Sequence, residues 1–136
     1  MTNPDQKEYS AEAILALSAA IERNENAFDW LTQNEQKELA ALAEVILFSK
    51  NEAMEWLKNN HFNNVVSFVG ALNEDEDAIN YLMMNDGKAW AATAEVVNGS
   101  DNAQEWLERF FPHFEKLADA IIAIPPRRRG GFPSHI

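Results

Sequence analysis

Asn26-Ala-Phe-Asp-Trp-Leu31, Glu52-Ala-Met-Glu-Trp-Leu57, Asp77-Ala-Ile-Asn-Tyr-Leu82 and Asn102-Ala-Gln-Glu-Trp-Leu107 are four copies of one hexad. Each reads acid or amide, alanine, any residue, a polar residue, an aromatic ring, leucine. The alanines stand at 27, 53, 78 and 103, a spacing of 26, 25 and 25. A fixed short period of this kind marks a chain built from stacked, individually unstable units.

The likeness extends downstream. Asn34, Asn60 and Asn85 each follow the aromatic by four residues, where a left-handed residue would end a short helix. A second apolar series then opens, with Leu39, Leu42, Ala43, Val45 and Ile46 in the first copy and Val65, Phe68, Val69, Ala71 and Leu72 in the second. The third copy supplies Trp90, Ala94, Val96 and Val97, and the fourth Phe114, Leu117, Ala118, Ala120 and Ile121. Offsets of three, four and seven are helical. Each unit therefore reads as a helical hairpin with its turn near the asparagine. Ser49 with Glu52, Asn73 with Glu76, and Asp101 with Gln104 have capping-box spacing, and the acids of Glu74-Asp-Glu-Asp77 suit a helix N-terminus.

The expected fold class is all-α, a tandem of short helical hairpins with a repeat of about 25 residues. The hairpins can stack as a short α-solenoid or collapse into a compact α-α bundle. Helices of about 8 to 12 residues reach only about 12 to 18 Å, which favours the stack over a long bundle. One helical-repeat domain is expected over 9–124, comprising a half-repeat at 9–23 and repeats near 26–50, 52–76, 77–101 and 102–124. A polar extension, 1–8, precedes it, and a basic Pro/Arg/Gly tail, 125–136, follows.

Charge narrows the function classes. The chain of 136 residues carries 22 acidic and 11 basic side chains, a net −11. Residues 1–124 hold every acid and eight of the bases, a net −14, whereas 125–136 carry +3. Such a body repels nucleic-acid phosphates, so nucleic acid is disfavoured as a partner. The absence of cysteine removes thiolate metal sites and thiol catalysis. No run approaches the length of about 18 apolar residues that a membrane helix needs, and the polar start lacks a secretory signal. A cytoplasmic location is the expectation.

No spacing points to catalysis. Metalloprotease, phosphate-loop and nucleophile-elbow motifs are missing, so no catalytic, cofactor-binding or metal residue is assigned and no cofactor is expected. Shared positions are explained by packing, and on that argument Trp30, Trp56, Tyr81 and Trp106 have packing roles. Departures from the repeat are the better candidates. His61 and Phe62 occupy a turn that is polar elsewhere, Met83 and Met84 follow the third hexad, and Phe110 and Phe111 replace the fourth asparagine turn. Bulky apolar groups at hairpin tips suggest a contact surface. Arg127, Arg128, Arg129 and Phe132 in the tail are a second candidate, suited to docking on an acidic helical body. The expectation is a non-enzymatic protein-interaction or assembly module with a protein partner or self-association. The alternatives are an enzyme or small-ligand binder using a pocket lined by Trp90 and buried carboxylates, and an acidic mimic of nucleic acid.

Overall fold

The structure is a computed structural model and describes residues 8–124. Among these residues it contains nine α-helices: α1 (Ala11–Ile21), α2 (Glu25–Gln33), α3 (Lys37–Phe48), α4 (Asn51–Asn59), α5 (Asn63–Leu72), α6 (Glu76–Met84), α7 (Lys88–Val97), α8 (Asp101–Phe110) and α9 (Pro112–Ile122). Hexads form α2, α4, α6 and α8, and the second apolar series form α3, α5, α7 and α9. The tandem-hairpin architecture is therefore realised. No described helix is long and apolar enough to cross a membrane.

Of the two arrangements open to such hairpins, the chain takes the compact one. Helix α1 packs on α3, α3 on α5, α5 on α7, α7 on α9, and α9 returns to α1. These five helices make an inner ring, and α2, α4, α6 and α8 each bridge two neighbouring inner helices from outside. An open stack would leave apolar faces of its first and last units in water. Seating α1 against α9 buries both, and Ile14, Leu17, Leu117 and Ile121 are fully buried. Short helices do not prevent closure, because the ring needs width rather than height.

The inner helices run in one direction. Tyr9 just before α1, Trp90 in the first turn of α7 and Phe114 in the first turn of α9 meet at 5.9 Å (Tyr9–Trp90) and 5.1 Å (Trp90–Phe114) between ring centroids. Phe68 closes on Trp90 at 4.9 Å. Beside them Tyr9 Oη donates 2.8 Å to Glu38 Oε2, and Glu38 is 2% exposed. At the opposite end Ile21, Leu47 and Ile124 line one cavity. One rim thus carries the turns within hairpins, the turn rim. The other carries the joints between hairpins, the joint rim.

Backbone geometry repeats as faithfully as the side chains. Asn34, Asn60 and Asn85 each donate a side-chain N–H over 2.8 Å to the carbonyl of the aromatic residue four positions earlier. They keep negative φ. The left-handed residue is the next one, Glu35, His61 or Asp86, at φ 63°, 62° and 61°. A second left-handed series, Arg23, Ser49, Glu74 and Gly99, marks the joints. Capping registers shift accordingly. Ser49 ends α3, Lys50 and Asp75 precede α4 and α6, and Ser100 rather than Asp101 caps α8 by accepting from Ala103 N.

The hexad aromatics are not the core anchors. Leu31, Leu57, Leu82 and Leu107 are fully buried, whereas Trp56 is 38% exposed and Trp30, Tyr81 and Trp106 are half-buried. A ring on an outer helix reaches only the flank of the inner layer. The leucine beside it points straight in.

Candidate interaction surface

Helix ends place the candidate residues of the hairpin tips together on the turn rim. Met83 and Met84 close α6 and are 47% and 84% exposed. Phe110, 56% exposed, closes α8 at the position where the other three copies place the capping asparagine. His61 is exposed because its left-handed backbone throws the imidazole outward.

Two of the candidates turn inward. Phe62 is half-buried and stacks on Trp56 at 5.7 Å, with 19° between the planes. Phe111, also half-buried, contacts Trp106 at 5.4 Å and Phe114 at 6.1 Å. It joins α8 to α9 without an intervening turn, and Pro112 opens α9 at a position whose missing N–H leaves no bond unmade. Arg127, Arg128, Arg129 and Phe132 lie outside the described residues.

The rim near α9 also holds two carboxyl groups in proximity. The pKa of Glu115 is raised, first by a hydrogen bond with the Glu108 carboxyl, then by burial and by repulsion from Glu108 and Asp119. Its buried Oε2 has no donor while both groups are ionised. Only a proton on one carboxyl supplies the bond. His113 packs on Phe114 at 5.1 Å, and burial lowers its pKa. Among the described residues no cluster of three or more His, Asp or Glu side chains is placed to hold a metal ion.

Trp90 and Glu38 meet rings and a phenol, and five cavities of about 250 to 510 Å³ among the described residues are lined by other residues. Four of these cavities form two matched pairs. A groove of about 330 Å³ between α2 and α4 is lined by Thr32, Lys37, Ala41, Glu44, Ala53 and Trp56. Its twin of about 440 Å³ between α6 and α8 is lined by Met83, Lys88, Ala92, Glu95, Ala103 and Trp106. Each residue of one stands 50 or 51 positions from its counterpart in the other. The same offset relates a joint-rim cavity of about 250 Å³ at Arg23, Glu25, Glu44 and Phe48 to one of about 510 Å³ at Glu74, Glu76 and Glu95.

Beside α1, the ring is therefore two double hairpins, α2–α5 and α6–α9. Hexad reasoning misses this longer unit, although a signal is present: Lys37, Ala40, Ala41, Ala43, Glu44 and Val45 recur 51 residues later as Lys88, Ala91, Ala92, Ala94, Glu95 and Val96. In the first unit both cavities contain cations in close contact with a neighbour. Lys50 Nζ lies 2.7 Å from Glu44 Oε2, and that bond raises the lysine's pKa. Arg23 sits over the Phe48 ring at 5.5 Å. In the second unit those cation positions are Ser100 and Glu74. Compared with known proteins, the chain matches no family model, no curated protein and no solved structure.

Proposed function

We propose that the protein is a non-enzymatic protein-interaction or assembly module of the cytoplasm whose contact surface is the turn rim around Met83, Met84 and Phe110. The observation that carries this reading is Met84, which is 84% exposed. The three equivalent positions are Gln33, Asn59 and Arg109, so the fold itself asks for a polar residue there. Phe110 gives up an asparagine cap for a ring that stays 56% exposed beside Trp106. Covering such side chains is favourable by about 1.5 to 3 kcal/mol each, which suits a partner protein's apolar face. The described body, with 21 acidic and seven basic residues, repels phosphate polymers.

The test is affinity capture from the native cell with the full chain, in parallel with Met84→Glu and Phe110→Glu. The expected result is a protein retained by the parent chain and lost from both variants at unchanged melting temperature. Retention of a metabolite with no protein, or undiminished capture by both variants, overturns the reading.

A further inference from the structure

The twin cavities supply an internal template. In the first unit, Arg23 lines the joint-rim cavity with its guanidinium over Phe48, and Lys50 lines the outer groove and pairs with Glu44. In the second unit the carboxylates persist as Glu76 and Glu95. Both cations are gone, a further acid stands at Glu74, and the joint-rim cavity is about twice as large. Thr32, at the far end of the first groove, becomes Met83. The two cavities of the second unit share Glu95 and Ser100, so an acidic basin adjoins a groove whose apolar lining is Met83, Ala92, Ala103 and Trp106. Its occupant carries guanidinium or ammonium groups first and an apolar side chain further on.

The chain holds such a segment. Arg127-Arg-Arg-Gly-Gly-Phe132 begins three residues beyond Ile124, the last described residue. Helices α7 and α9 are packed neighbours running in parallel, so their C-terminal ends stand about 8 to 10 Å apart. Three extended residues span about 10 Å, enough to bring an arginine from Ile124 to the basin beyond Val97. From Glu95 back to Lys88 along the groove is seven helical residues, about 10.5 Å. From Arg129 to Phe132 is three residues, again about 10 Å extended. Charge, order and spacing agree. We propose that residues 125–136 dock on the second unit of their own chain, with an arginine of Arg127–Arg129 against Glu74, Glu76 and Glu95, and Phe132 in the groove at Met83 and Trp106.

The docking site shares Met83 with the proposed contact surface but neither Met84 nor Phe110, so variants at those two residues test the partner-binding reading separately. The cysteine-free chain allows a single nitroxide at Ser134→Cys in the full-length, ¹⁵N-enriched protein. The expected result is broadening of the Trp106 indole and the Ala92 and Ala103 amides, severalfold stronger than at their twins Trp56, Ala41 and Ala53. High salt and the double variant Glu74→Lys/Glu95→Lys should remove it, since the exposed charges are screened over about 8 Å at physiological ionic strength. Without any label, Phe132→Ala should shift the Trp106 indole resonance and leave Trp56 in place. Equal broadening at the twin grooves, no broadening at either, or broadening seen only between chains when labelled unenriched and unlabelled enriched proteins are mixed overturns the proposal.

Discussion

Gly70 in α5 and Ala78 in α6 touch backbone to side chain: a Cβ built on Gly70 would lie 2.9 Å from Ala78 Cβ. Gly70 stands where the neighbouring units have Glu44 and Glu95. Helix α6 therefore sinks onto α5 at the place where α4 and α8 leave a groove.

Gly70→Ala should cost about 1 to 3 kcal/mol, the range for overpacking a close contact. Denaturant unfolding will measure it, and Ala78→Gly added to Gly70→Ala should recover part of the loss. An unchanged midpoint for Gly70→Ala would show that the two helices part freely.

Within a hexad the smaller side chain matters more. Leu57→Ala should destabilise by about 2 to 5 kcal/mol, as for other fully buried leucines, because Leu57 has no exposed surface. Trp56→Ala should cost less, since the ring is 38% exposed and its main partner, Phe62, can follow it. Chemical denaturation of the two variants decides the order.

The joints test backbone conformation by itself. Gly99 has φ 102°, and a Cβ added there would meet nothing within 4 Å, so Gly99→Ala is penalised by conformation alone, about 1 kcal/mol. Glu74, at φ 64° in the equivalent joint, is the reverse case. Glu74→Gly should raise the melting temperature at high salt, where charge contacts are screened, by relieving left-handed strain.

The Glu108–Glu115 pair gives a pH signature. A carboxyl whose folded pKa is raised binds its proton more tightly in the folded chain. Its stabilising contribution is present below the ordinary carboxyl range and is lost as pH rises through the raised value. Glu115→Gln should therefore stabilise the protein at neutral pH by a few tenths of a kcal/mol, as expected for a largely solvated pair. The gain should vanish in acid. Melting curves across pH 4 to 7 that stay parallel for the two proteins would contradict it.

Helix count, hairpin order and repeat length are legible in the sequence because they depend on local apolar spacing. Ring closure is not, since the contact of α1 with α9 joins residues about a hundred positions apart that share no motif. The asparagines end their helices where the spacing puts them, but by a different device. They cap with their side chains, and the following residue takes the left-handed turn. Shared aromatics suggest a packing role, and Trp30 and Trp106 pack against the core, yet a hexad specifies which residues recur and not how deep each one reaches. Of the tip residues, Met83, Met84, Phe110 and His61 are exposed, Phe110 while lying 5.6 Å from the Trp106 ring, whereas Phe62 and Phe111 are half-buried against ring partners inside their own hairpins.

The seat of α9 against α1 has a further consequence. In an open array every internal unit can be duplicated or deleted, and melting can begin at either free end. Here each terminal helix is the other's lid. Adding or removing a hairpin must break the circle, so the number of units is locked by geometry. Loosening one end exposes the other, and the chain should melt in a single cooperative step rather than unit by unit.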